Sequence, residues 1–175
     1  MTRAALSGRT AIVVGAGDGA GAAVAYALSR AGAGVVLAAR PGPALTALAA
    51  GIVAVGGQAV AVPADVGSRA SMRRLVEQTL GAFGRLDIAV NQLRARELSV
   101  AMTYQLAAMR RAGGGHVVNL ATSAAARTAV AELTWTAAQE HACSGVRIDV
   151  MAGAPGGSAE QVADAVVRWC SGDSP

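Results

Sequence analysis

The stretch TAIVVGAGDGAGAAVA, residues 10–25, decides the fold of this chain. Its apolar run Ala11–Val14 predicts a buried strand, and the glycines that follow predict a tight turn before an alanine-rich helix. The first N–H groups of such a helix have no partners within it, and the helix dipole favours negative charge there. We therefore interpret the turn as a dinucleotide site, and the alternative is a glycine-rich turn that binds nothing.

The glycines of this turn have distinct expected roles. Gly15 and Gly19 lack the Cβ atoms that would keep a diphosphate away from the backbone, and Gly21 allows the helix to pack tightly on the strand. Gly17 and Ala20 complete the set of candidate cofactor-binding residues in the turn.

Composition restricts the class of protein. The 175 residues are enough for one domain with a buried core, which we assign to 1–175 with a frayed tail at 171–175. Hydrophobic residues make up 53% and aromatic residues 3%, so Ala, Val and Leu must build the core. The formal charge is +4 and every basic residue except histidine is Arg, but these residues are scattered without interleaved aromatics. Nucleic acid is therefore not an expected partner.

Neither a targeting segment nor a membrane segment is predicted. Residues 41–64 are uncharged, but their prolines and glycines do not suit a spanning helix. Asp18 and the glycines interrupt the apolar run near the start of the chain, which argues against a signal peptide. The two cysteines and two histidines show no metal-ligand spacing, so no metal site is expected. These patterns predict a cytoplasmic protein.

Strand and helix signals alternate along the whole chain. Strands are predicted at Ala11–Val14, Gly34–Ala39, Gln58–Pro63, Leu86–Asn91, His116–Ala121 and Val146–Met151. Helices are predicted at Ala20–Ala31, Pro43–Val53, Ser68–Phe83, Leu98–Arg111, Thr128–Ala142 and Ser158–Cys170. Six strands, each followed by a helix, predict an α/β protein with a doubly wound parallel sheet in the order 3-2-1-4-5-6. A ligand would then lie across the carboxyl ends of the strands.

Several separate pieces resemble the short-chain dehydrogenase/reductase family. The resemblance is carried by VGAGDGAG (14–21), GVVLAAR (34–40), PADV (63–66), FGRLDIAVN (83–91), GGGHVVNLATS (113–123), GVRIDVMAGAPG (145–156) and SAEQVADAVVRWCSGDSP (158–175). It implies a Rossmann fold and an oxidoreductase that uses NADP or NAD on a small carbonyl or alcohol. Asp65 and Val66 match the family's Asp-Val at the adenine. Asn91 begins its Asn-Asn-Ala-Gly motif, which here reads Asn-Gln-Leu-Arg.

Charge at the end of the second strand bears on the choice of cofactor. A carboxylate there would bind the ribose hydroxyls of NAD and repel a 2′-phosphate, but Ala39 occupies that position and Arg40 follows it. The guanidinium of Arg40 can pair with a phosphate, which favours NADP. Asp18 in the glycine turn opposes that preference, so NAD stays an alternative.

The resemblance also implies catalytic positions, and these have changed. Thr122 falls on the family's serine, Ser123 on its tyrosine and Arg127 on its lysine, so these three are the candidate catalytic residues. The segment that separates serine from tyrosine is missing, and so are the family's last strand and any lysine in the chain. An arginine with a pKa above about 12 cannot easily give up a proton, and a hydroxyl without a base beside it is a poor proton donor at neutral pH.

Two main functions therefore remain open, beside a third in which the fold serves other chemistry such as a cofactor-independent cyclisation or isomerisation. The first is an oxidoreductase that reduces a carbonyl with a degraded proton relay. The second is a catalytically silent homologue that acts as a binding or assembly subunit, in a homo-oligomer or with an intact relative. The resemblance places such a contact on helices 98–111 and 128–142. An apolar stripe on the first of them serves either that contact or the cover of the sheet; it consists of Leu98, Met102, Leu106 and Met109.

Overall fold

The computed structural model describes residues 4–17, 19–121, 123–152 and 157–172. Within these ranges six parallel strands form one sheet in the order β3-β2-β1-β4-β5-β6, and a helix follows each strand. The predicted doubly wound α/β architecture and its strand order are confirmed. None of the helices in the described ranges is long and apolar enough to cross a membrane.

Most boundaries agree with the sequence pattern. The strands are β1 Thr10–Val14, β2 Gly34–Ala39, β3 Gln58–Pro63, β4 Ile88–Asn91, β5 Gly115–Ala121 and β6 Val146–Ala152. The helices are α1 Gly19–Arg30, α2 Pro43–Ala54, α3 Arg69–Phe83, α4 Ala95–Arg111, α5 Ala124–Glu140 and α6 Ala159–Ser171.

Helices α4 and α5 begin three and four residues earlier than predicted. The carboxylate of Glu97 accepts a hydrogen bond from the N–H of Arg94 at 3.3 Å, and Ser123 Oγ accepts one from the N–H of Ala126 at 3.2 Å. These side chains provide partners at the two helix starts, and the first turns carry no apolar periodicity that a sequence pattern would reveal.

The sheet is buried on both faces. Successive residues of β1 point to opposite sides, so Ala11 and Val13 pack with α1, α2 and α6, whereas Ile12 and Val14 pack with α3, α4 and α5. All five residues of β1 are buried, which explains its continuous apolar run. The two helical layers leave the carboxyl ends of the strands uncovered.

The apolar stripe of α4 covers the sheet. Leu98, Met102, Leu106 and Met109 are at most 5% exposed and belong to the core on the α3–α5 face. Of the two roles that the sequence allowed for this stripe, the structure supports packing within the chain. An intermolecular contact through these four side chains would require α4 to leave the sheet.

A chain of buried polar side chains joins β4, β5, α4 and α5. The amide of Asn91 exchanges two hydrogen bonds with Gln105, at 2.8 and 2.9 Å, and donates a third to Asn119 at 3.0 Å. Asn119 in turn donates to Thr134 Oγ1 at 3.0 Å. The four side chains are at most 2% exposed, so each of these bonds replaces hydration that burial has removed.

A second polar cluster lies towards the amino end of the sheet. His116 Nε2 lies 2.8 Å from Asp149 Oδ2, which also pairs with Arg147. The guanidinium of Arg147 lies 6.0 Å from the ring centre of Trp169 on α6. Burial lowers the pKa of His116 below its ordinary value of 6.5, and the Asp149 carboxylate only partly offsets that effect.

This pKa shift predicts a loss of stability in mild acid. Because His116 binds a proton less readily in the folded chain, its contribution is complete above pH 6.5 and falls as the pH drops towards the folded-state pKa. We expect the free energy of unfolding, measured in urea at pH 7.5 and 5.5, to fall less in His116→Gln than in the wild type. The difference in slope cannot exceed about 1.4 kcal/mol per pH unit for one proton. A slope in His116→Gln as steep as that of the wild type would contradict the assignment.

Candidate active site

The turn between β1 and α1 has the backbone that the glycine pattern predicts. Gly15 has φ +87°, which strongly favours glycine, and its N–H donates to Ala38 O of β2 at 2.8 Å. A Cβ at Gly15 would lie 2.7 Å from Gln92 O. Gly21 is equally constrained, because a Cβ there would lie 2.3 Å from Gly15 O. These contacts allow α1 to begin close against the end of β1.

Other positions of the turn leave open space. Apart from its chain neighbours and the backbone of its own helix, a Cβ built on Gly19 meets no described heavy atom within 4 Å. Beyond its chain neighbours, the nearest atom to a Cβ on Gly17 is Ala39 Cβ at 3.7 Å. Gly19 and Ala20 are the first two residues of α1, whose N–H groups have no acceptor in a preceding turn of that helix. The turn and the first residues of α1 therefore fit the diphosphate half of a dinucleotide in shape and polarity.

A cleft of about 700 Å³ lies at the carboxyl ends of the strands, beside this turn. Its walls come from the segments that follow β1, β2, β3, β4 and β5. The lining residues are Gly15, Gly17, Ala39, Arg40, Asp65, Val66, Gly67, Gln92, Leu93, Arg94, Glu97, Leu120, Ser123 and Ala126. The volume is within the range of cofactor sites.

The cleft brings together part of the predicted cofactor set. Arg40 is exposed at the end of β2, on one side of the glycine turn. Asp65 and Val66 follow β3, where Asp65 Oδ1 accepts the N–H of Gly67 at 3.0 Å and so shapes the loop. Asn91 is only 1% exposed and does not line the cleft. Its side chain belongs to the buried polar chain behind the cleft.

The predicted catalytic residues have different surroundings. Thr122 lies outside the described residues. Ser123 lines the cleft, but its hydroxyl caps α5 through the N–H of Ala126. Arg127 is exposed one turn into α5 and is not among the residues of the cleft wall.

Eight of the lining residues were absent from the predicted site, and four of these follow β4. Gln92, Leu93, Arg94 and Glu97 follow β4, and they place two apolar or neutral side chains and two charged ones in the cleft wall. The signal was present in the sequence, because Gln-Leu-Arg stands where the resembled family has Asn-Ala-Gly. Larger side chains after a strand end necessarily reach into the space beside it.

Comparisons with known proteins agree with this geometry. The family model of the short chain dehydrogenases matches residues 9–93. An uncharacterized oxidoreductase of Mycobacterium tuberculosis is 30% identical over 84% of this chain and 69% of that protein. A short chain dehydrogenase/reductase of Aspergillus oryzae is 30% identical over 93% of this chain and 76% of that protein.

The chain belongs to the short-chain dehydrogenase/reductase family. A metagenomic short-chain oxidoreductase, solved in complex with NADP, superposes with a TM-score of 0.84 at 28% identity over 95% of this chain and 92% of that one. An uncharacterized oxidoreductase of Methylorubrum extorquens is 35% identical over 67% of this chain, and the match spans only 56% of that relative.

The chain lacks internal residues that some of its relatives contain. The alignments with the Mycobacterium and Aspergillus proteins extend over 182 and 200 positions, which exceeds the 175 residues of the chain. Those relatives therefore contain residues that have no counterpart between the aligned ends here. The sequence resemblance predicts a missing internal segment between Thr122 and Ser123.

Substitution of Gly21 tests the close contact between α1 and the turn. Gly21→Ala places a methyl group against Gly15 O, so the helix has to move, and we expect a loss of about 1–3 kcal/mol in the free energy of unfolding. Gly81→Ala is the matched control, because a Cβ at that helical position meets no described heavy atom within 4 Å other than its chain neighbours and its own helix backbone. The control should gain up to about 1 kcal/mol. Equal effects of both substitutions in urea unfolding would show that α1 is not closely seated.

Proposed function

We propose that this chain is a dinucleotide-binding oxidoreductase that takes NADP in preference to NAD and acts on a small carbonyl or alcohol. The observation that carries the proposal is that the glycine turn, Arg40 and Asp65 line the same cleft at the carboxyl ends of the strands. The NADP complex of the metagenomic relative supports the same choice of ligand.

Different residues of the cleft would bind different parts of the dinucleotide. The first N–H groups of α1, at Gly19 and Ala20, would hold the diphosphate, because those of Gly15 and Gly21 already bond within the protein. Asp65 and Val66 would contact the adenine end. Arg40 would pair with a 2′-phosphate, because a guanidinium is a bidentate partner for phosphate. A bound nicotinamide dinucleotide supplies or accepts hydride, whereas the protein has to orient the reacting groups and manage a proton.

The proposed catalytic residues are poorly suited to transfer a proton. Thr122 is the proposed hydrogen-bond donor to a substrate oxygen, and Arg127 is a proposed ribose or phosphate contact. In the described structure the Ser123 hydroxyl is used as a helix cap and Arg127 is exposed outside the cleft wall. Loss of general acid–base assistance typically costs 10²–10⁴-fold in rate. We therefore expect the proposed reductase to be slow but active.

These two placements favour a second candidate, a silent homologue that binds the dinucleotide and works as an assembly subunit. Trp135 on α5 is 68% exposed and supports a contact with a second copy of this chain or with an intact relative. Large aromatic side chains on a surface are common anchors of protein interfaces. The exposed face of α5 replaces the buried stripe of α4 as the proposed contact.

Arginine substitution tests the choice of cofactor. Arg40→Ala should raise the Kd for NADPH about tenfold or more, because a charge-assisted pair with the 2′-phosphate is lost, and should leave the Kd for NADH almost unchanged. Nicotinamide fluorescence measures both. Arg110→Ala removes an exposed arginine from the last turn of α4, far from the cleft, and should affect neither. Equal weakening of NADPH and NADH by Arg40→Ala would contradict the phosphate role.

Turnover separates the two candidate functions. With NADPH bound, the reductase should oxidise it slowly in the presence of small aldehydes or ketones, and Thr122→Ala should reduce that rate at least tenfold. The silent subunit should bind NADPH without carbonyl-dependent oxidation and sediment as a dimer or as a complex with a relative. A rate that survives Thr122→Ala would show that the hydroxyl has no catalytic role.

A further inference from the structure

We propose that Gln92 is a positioning residue that holds the phosphate-binding turn in shape. Its Oε1 accepts a hydrogen bond from the N–H of Gly21 at 2.9 Å. Gly21 is the third residue of α1, so its N–H is one of the four that the helix itself cannot satisfy. Gln92 therefore caps α1 from a neighbouring strand end. This inference rests on the proposed function, because the turn matters to a ligand only if the cleft binds one.

The backbone of Gln92 contacts the same turn at its other end. The N–H of Gln92 donates to Val14 O at 2.9 Å, immediately before the turn. Its carbonyl oxygen and Cβ come within 2.7 and 3.0 Å of the position that a Cβ on Gly15 would occupy. One residue thus touches the turn where it leaves β1 and where it becomes α1.

A second strand supports the turn from the opposite side. Ala38 O of β2 accepts the N–H groups of both Gly15 and Ala16, at 2.8 and 3.3 Å. Because β1 lies between β2 and β4 in the sheet, the turn is held from both neighbours. On the β2 side the partner is a backbone atom that any residue would provide. On the β4 side the bond to Gly21 depends on the side chain at position 92.

The chemistry of an amide suits this position. A neutral oxygen satisfies the N–H of Gly21 without placing negative charge beside the diphosphate that the turn would hold. A leucine of similar size would leave that N–H without its partner, and a buried unsatisfied donor is costly. A glutamate would keep an acceptor but repel phosphate. Gln92 also lines the cleft, so a shift of its side chain moves the wall as well as the turn.

The experiment uses the whole chain with two probes, NADPH and ADP-ribose, the second of which has the diphosphate but no nicotinamide. Amide hydrogen exchange of Gly21, followed by NMR, reports the hydrogen bond directly. In Gln92→Leu we expect Gly21 to exchange at least tenfold faster and the Kd for ADP-ribose to rise about 5- to 30-fold. Gln78→Leu removes an exposed glutamine from α3 and should change neither quantity.

Gln92→Glu separates positioning from a general loss of structure. It should retain slow exchange at Gly21 and still weaken ADP-ribose binding, with a deficit that shrinks as salt is added. If Gln92→Leu does not fold by circular dichroism, Gln92→Glu and Gln92→Asn give the same comparison. The shorter Asn side chain should lose the protection of Gly21.

The possible outcomes distinguish this inference from the proposed function. If wild-type protein binds neither probe, the proposed function is wrong, and the exchange rate of Gly21 still decides whether Gln92 holds the turn. If wild-type protein binds but Gln92→Leu binds ADP-ribose equally well, the positioning role is overturned and the proposed function stands. A salt-independent deficit in Gln92→Glu would also overturn it, because the defect would then not involve charge near the phosphates.

Discussion

The close seating of α1 on the end of β1 is the contact on which the rest of the site depends. A Cβ at Gly21 would lie 2.3 Å from Gly15 O, so only a glycine allows the helix to start where it does. This seating turns the first N–H groups of α1 towards the carboxyl ends of the strands. It also brings Gly21 within hydrogen-bond distance of Gln92, which follows β4. The close approach between Gly21 and the carbonyl oxygen of Gly15 therefore positions the turn and the start of α1 beside the cleft.

The polar groups of this chain serve structure more than proton transfer. Asn91, Gln105, Asn119 and Thr134 form a satisfied chain of hydrogen bonds behind the cleft, and removal of any member would leave a buried partner unpaired. Ser123, which the sequence resemblance aligns with the family's tyrosine, caps a helix. The fold of a short-chain dehydrogenase/reductase is thus maintained by interactions that do not require its catalytic relay.

The carboxyl ends of β2 and β4 give the cleft a charged character on both sides of the turn. Arg40 stands beyond β2, while Arg94 and Glu97 stand beyond β4, and β1 with its glycine turn lies between them. The residues after β4 are one of the points at which this chain differs from the pattern of the family that it resembles. Their side chains occupy the wall next to Ser123, where the reacting end of a ligand would lie under the proposed function.

The sequence alone determined the order of the sheet, because alternating strand and helix signals with continuous apolar strands permit few topologies. It also determined the glycine turn, because a positive φ at Gly15 and a close approach at Gly21 both need a residue without Cβ. Only the tertiary structure decided how the polar residues were used. The sequence predicts a ligand contact for Asn91 and a catalytic role for Ser123, and it assigns no role to Gln92. Ser123 instead makes a local cap three residues away, whereas Asn91 and Gln92 bond to partners 14 and 71 positions away. These two distant partners follow from the packing of separate elements, which no local pattern encodes.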